Sequence, residues 1–204
     1  MPRPKGVTDK LRDEKKEKIL TTAIELFSND GYHNTTISKI AQASGVSFGM
    51  INYYFENKDN LFKEAVLIPI NELRKSYFLI QNVDGSALDR ISEMVRYQVR
   101  EFTYNKQKFA LVHYVLGRQN SFPELMQELF AFFDESRDAV IPVILEGQKI
   151  GELDEVDPET VFASYFSYLN GIAISVFDPP DHPFWEQLIQ QGIHLFHPIH
   201  PSNK

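Results

Sequence analysis

Gly45-Val46-Ser47-Phe48-Gly49 has the G-x-S-x-G spacing of a hydrolase nucleophile elbow. That chemistry needs a strand running into the serine, a helix leaving it, and an acid and a histidine later in the chain. The residues before Ser47 instead follow a helical period, and no parallel-sheet pattern occurs, so Ser47 reads better as a helix cap. His194, His197 and His200 recur at steps of three, a spacing that can turn two imidazoles toward one metal ion. No carboxylate cluster accompanies them, and Pro198 and Pro201 break any helix there, so they read as tail histidines with no metal. The chain has no cysteine, which excludes disulfides, cysteine zinc sites, iron–sulfur clusters and thiol catalysis. No resident cofactor is expected.

A second constellation is aromatic. Phe, Tyr and Trp make up 13% of the 204 residues and crowd the second half. Most belong to a helical core. Ligand pockets share that character, with a few polar groups added. The pocket candidates are Tyr97, Phe133 and Phe166, with Glu101, His113, Arg137 and Asn170 as polar companions.

These residues need helices to hold them, and the periodicity is helical nearly everywhere. Ile19, Ala23 and Phe27 recur at every fourth position, and Gly31 ends that first helix near Asn29-Asp30. Short helices follow from about 36 to 44 and from Ser47 to near Phe55, then a long one from Asn57 to about Phe78. Further helices are predicted at roughly 86–104, 107–118, 122–149, 158–177 and 183–196. Pro69 and Pro142 fall inside helical patterns and should kink or interrupt them. No window shows sustained strand alternation, and no repeat or low-complexity tract occurs. With 43% hydrophobic residues the chain can build a core, and no run of about 18 apolar residues exists to span a membrane. The basic N-terminus has no apolar run behind it, so the expected compartment is the cytoplasm.

The net charge of −7 is unevenly spread. Residues 1–64 hold 10 Lys+Arg against 9 Asp+Glu, and residues 65–204 hold 11 against 19. A head that is mildly basic on an acidic body suits contact with a polyanion at one end.

Two short helices joined by Ala43-Ser44-Gly45-Val46 make the helix-turn-helix plan, whose second helix lies in the DNA major groove. Residues 31–62, GYHNTTISKIAQASGVSFGMINYYFENKDNLF, resemble the DNA-binding segment of the TetR family of transcriptional regulators. The matching positions are Gly31-Tyr32, Thr35-Thr36, Ile40-Ala41, Gly45-Val46-Ser47, Gly49, Tyr54-Phe55, Lys58 and Leu61.

The resemblance implies an all-α protein. Residues 1–56 would be a three-helix helix-turn-helix head, and 57–204 a helical bundle for ligand binding and dimerisation. It implies a repressor that binds a palindromic double-stranded operator as a homodimer and is released by a small apolar or aromatic effector. Thr35 and Thr36 would donate to phosphate, Ser47 would cap the recognition helix, and Phe48, Gly49, Met50, Asn52 and Tyr53 would face the bases. Tyr54 and Lys58 would reach phosphates. Phe48 and Asn52 depart from the family's usual residues. The recognition helix has no Arg or Lys, so bidentate guanine reading is absent, while Asn52 can pair with adenine. Tyr165, Leu169, Ile172 and Val176, with Trp185 and Leu188, form apolar stripes expected to pair across a dimer axis. Pro69, between head and body, is a candidate hinge. The other readings are a helical binding protein whose helix-turn-helix is only structural, and a serine hydrolase through Ser47.

Overall fold

The computed structural model describes residues 5–82, 84–175 and 179–196. Nine α-helices and one 3₁₀ turn are present among them, with no strand: α1 (Lys5–Asn34), α2 (Ile37–Ser44), α3 (Phe48–Phe55), α4 (Lys58–Asn82), α5 (Ala87–Tyr104), α6 (Lys106–Leu116), α7 (Pro123–Lys149), α8 (Pro158–Ser175) and α9 (Phe184–His194). The turn, Gln119–Ser121, lies between α6 and α7, where the sequence pattern shows only a break. His197 and His200 lie outside the described residues.

The boundaries follow local chemistry. Gly31 takes φ +78° and ψ 166°, so α1 leaves helical geometry where the sequence places its stop. Ser86 and Asp89 close a reciprocal capping box at the start of α5. Asp157 accepts from the Thr160 backbone N–H at 2.9 Å, ahead of Pro158 in the first turn of α8. Neither Pro69 nor Pro142 interrupts its helix. At Pro69 the flanking Val66 and Ile70 are buried with it, so packing holds the turn that lacks one backbone donor.

The buried side chains form one connected core from Ile19 to Phe196. Within it, the Gln98 amide donates to Ser76 Oγ at 2.7 Å, and the Tyr165 hydroxyl donates to Gln98 Oε1 at 2.7 Å. Burial pushes the Tyr165 hydroxyl well above its ordinary pKa, so it stays a donor. Each of these groups would cost roughly 1–3 kcal/mol if buried unpaired. The network therefore fixes the mutual register of α4, α5 and α8, the helices that flank the cavity described below.

The expected dimer stripes are corrected here. Tyr165, Leu169, Ile172 and Trp185 are 1–5% exposed in the single chain. Trp185 Nε1 donates to the Pro179 carbonyl at 2.8 Å, and Tyr165 packs on Phe196. Their apolar surface is already used by their own chain and is not free for a partner. Leu188 is half-buried, and Val176 lies outside the described residues. The outward face of α8 carries Ala163, Ser164, Ser167, Gly171 and Ile174 instead, with Ile174 58% exposed.

Candidate nucleic-acid interface and effector cavity

The head is assembled by its caps. Thr36 Oγ1 accepts from the Lys39 N–H at 3.2 Å and starts α2. Gly45, at φ +66° and ψ 31°, ends it and turns its N–H back to the carbonyls of Ala41 and Gln42. Ser47 Oγ then accepts from the Met50 N–H at 3.2 Å and starts α3. The hydroxyl singled out by the G-x-S-x-G match is thus the N-cap of a helix that follows a helix. Ile40, Ala41, Ile51 and Phe55 anchor the pair in the core.

What α3 leaves outside is Phe48, 52% exposed, Tyr53, 67% exposed, and Gly49, with Met50, Asn52 and Tyr54 half-buried beside them. Two bare aromatic rings on an eight-residue helix form a surface that contact with a groove would cover. The Arg12 guanidinium stands 5.5 Å from the centre of the Tyr53 ring, and Tyr54 meets Tyr53 edge-on. Arg12 is not among the contacts expected from sequence. The charge imbalance of the first residues points at the segment, but only the packing of α1 beside α3 brings this side chain to the recognition face. It supplies the cation that α3 itself lacks.

Two of the expected phosphate contacts have other work. Thr35 is fully buried, and its hydroxyl lies 2.9 Å from the Gly31 carbonyl and 3.2 Å from that of Leu26. It ties down the end of α1 and cannot donate to DNA. Lys58 Nζ donates to the Tyr32 and Thr35 carbonyls at 2.8 and 2.9 Å and sits 4.1 Å from the Tyr32 ring centre. Its first task is to hold the α1–α2 turn onto α4. Hydrogen bonds from a charged donor contribute about 1.5–3 kcal/mol, so Lys58→Ala should lower stability by about that amount in urea unfolding. Wild-type stability combined with a reduced salt dependence of DNA binding would instead return Lys58 to the phosphates.

The body holds a cavity of about 350 Å³ bounded by α4, α5, α6, α7 and α8. It brings together His113, Phe133, Phe166 and Asn170 from the predicted set. Leu169, expected at the dimer interface, lines it too. Tyr97, Glu101 and Arg137 are not on its wall. Tyr97 and Glu101 turn toward Glu72 and Lys75 of α4, where burial and then the neighbouring carboxylates raise both pKa values. Arg137 pairs with Asp134 and Asp138 on the outer side of α7. The sequence does not single out Tyr77, whose hydroxyl is engaged by Ser136 and Gln98 while burial pushes its pKa up to about 12.

Between head and cavity lies an aromatic cluster. Tyr32 stacks near Phe27 and Phe62, and Phe122 meets Tyr32 edge-on at 5.4 Å. Tyr114 of α6 touches Phe62 and Phe122 from the body side. The Tyr32 hydroxyl bonds Asp59, in the first turn of α4. His113 and Tyr114 are thus adjacent on one helix, one lining the cavity and the other touching the head.

A capped helix-turn-helix with a bare recognition face, set on an all-helical body, defines the class: a DNA-binding transcriptional regulator. Residues 19–65 match the model of the bacterial regulatory proteins, tetR family. The chain is 29% identical over 148 residues to the HTH-type transcriptional regulator RutR of Escherichia coli (strain K12), covering 71% of this chain and 67% of that one. The TetR family transcriptional regulator PfmR from Thermus thermophilus superposes with a TM-score of 0.73 at 21% identity, over 89% of this chain and 99% of that one. AibR, solved in complex with isovaleryl coenzyme A and operator DNA, gives a TM-score of 0.73 at 19% identity, over 91% and 100%. Residues 19–65 thus carry the DNA-binding segment of the tetR family of bacterial regulatory proteins, and the whole chain shares its fold with TetR-family structures. No helix among the described residues is long and apolar enough to cross a membrane.

Proposed function

We propose that the chain is a homodimeric repressor whose head, residues 1–56, reads a palindromic operator, and whose body, residues 57–204, binds an effector that releases it. The observation that carries this reading is the exposed face of α3, with Phe48, Asn52 and Tyr53 outward and Arg12 beside them. Phe48 and Met50 suit thymine methyl groups, and Asn52 suits adenine. Thr36, Ser47, Gly49 and Tyr54 complete the contact surface next to the backbone of the duplex.

The second protomer packs on the outer faces of α8 and α9. Gly171 has open space where a Cβ would stand, so another helix can come close there, and Ile174 supplies exposed apolar surface. The half-buried Leu188 lies at the edge of this face. Two heads so joined sit on successive major grooves when their centres are about 34–36 Å apart.

The cavity takes the effector. Filling it displaces α6, and Tyr114 carries that shift to Phe62, Phe122 and Tyr32 at the base of the head. Pro69, where α4 lacks one backbone bond, is the place where the connecting helix bends. An effector weakens DNA binding only through a preference for dimers with a different head spacing. Selection from a random duplex library tests the reading. It should enrich an inverted repeat with half-sites one helical turn apart. A library left without any enriched sequence would contradict it.

A further inference from the structure

The effector cavity is apolar apart from Tyr77, His113 and Asn170. None of the described residues lining it carries a formal charge, and most are Phe, Leu, Val or Ile. Tyr77 turns its hydroxyl to Ser136 and Gln98, and one amide hydrogen of Asn170 is given to the Phe166 carbonyl at 2.8 Å. His113 differs. Its Nδ1 lies 2.9 Å from the Phe109 carbonyl. A carbonyl can only accept, so Nδ1 carries the hydrogen. Burial lowers the pKa of the ring, against smaller opposing effects of that carbonyl and of Asn170, and the imidazole is neutral at pH 7. Nε2 is then a bare lone pair. It is buried and completes no hydrogen bond, and the polar side chain that bears on the ring, Asn170, gives an amide hydrogen to the Phe166 carbonyl instead.

A buried acceptor without a donor is a rare and unfavourable feature, relieved when a ligand brings the donor. On the reading of this cavity as the effector site, we infer that the effector is a neutral, mainly apolar molecule carrying one hydroxyl-type donor, a phenol being the simplest, which it gives to His113 Nε2. At roughly 30 Å³ per small group, the 350 Å³ holds about a dozen non-hydrogen atoms. A carboxylate or phosphate buried within these walls is disfavoured, so the buried part of the effector is neutral. An anion entering here would lose its water and meet no cation, and its oxygens would face the lone pair of Nε2.

Calorimetric titration of the full-length protein with four matched probes tests this: para-propylphenol, its methyl ether, propylbenzene and para-propylbenzoate. The phenol should bind about tenfold more tightly than the ether or the hydrocarbon, and the benzoate should bind most weakly. In His113→Phe the preference for the phenol should vanish while the hydrocarbon still binds, which also shows that the variant is folded. In His113→Gln, which keeps an acceptor, part of the preference should return. In Phe166→Trp, which fills the cavity, every probe should lose affinity. Equal binding of phenol and ether to the wild type, or an unchanged preference in His113→Phe, would overturn the donor assignment and leave the cavity as effector site. Binding that survives Phe166→Trp, or no binding by any probe, would overturn the cavity reading beneath it.

Discussion

Ile174→Asp combined with Gly171→Leu should yield folded monomers whose operator affinity is lower by roughly 10²–10⁴-fold. Both positions lie on the outer face of α8, away from the core of their own chain, so neither change opens a cavity. The carboxylate would have to enter an apolar interface without a counter-charge, and the leucine would occupy the space that Gly171 leaves for another helix. A dimer holds its second head near the second half-site once the first is bound, and that effective concentration supplies most of the affinity. Sedimentation velocity gives the mass and anisotropy on the selected operator gives the affinity. A variant that stays dimeric would move the interface elsewhere. A monomer with full operator affinity would remove the dimer from the mechanism. The contrasting change Leu169→Asp should damage folding itself, because Leu169 is 3% exposed and lines the cavity.

Asn52→Ala should cost roughly 1–3 kcal/mol at each half-site, about 5- to 150-fold in affinity, confined to one or two base positions. The helix FGMINYYF has no Arg or Lys, and its one amide side chain is the group able to read a base edge bidentately. Arg12→Ala should behave differently, weakening binding to specific and random duplexes alike and flattening the dependence on salt, because a phosphate contact carries no sequence information. Binding measured against operators mutated one base pair at a time separates the two. A uniform loss across all sites in Asn52→Ala would place Asn52 on the backbone rather than on a base.

The elements are largely legible in the sequence because their signals are local. The caps at Thr36, Ser47 and Asp157, the left-handed Gly45 and the spacing of Ile19, Ala23 and Phe27 each act within one or two turns. The sites are less legible because they depend on which side of a helix the fold covers. Thr35 and Thr36 are equal as sequence, yet one is buried against α1 and the other is the cap. Phe133 and Arg137 stand one turn apart on α7, and only the first reaches the cavity. On α8 the apolar stripe through Tyr165, Leu169 and Ile172 reads as a surface for a partner. The chain buries that stripe itself and presents its small residues outward. Periodicity identifies an apolar face but does not say which neighbour covers it. Arg12 carries no motif at all, and its role follows from the packing of α1 on α3.

The central claim is that the head binds a specific duplex through α3. Fluorescence anisotropy on the selected inverted repeat and on a scrambled duplex, across a range of salt concentrations, tests it most directly. The account predicts two protomers per site, affinity for the repeat at least about 10³-fold above the scrambled duplex, and a steep linear fall of log affinity with log salt. Equal affinity for the two duplexes, or binding to neither, would contradict it.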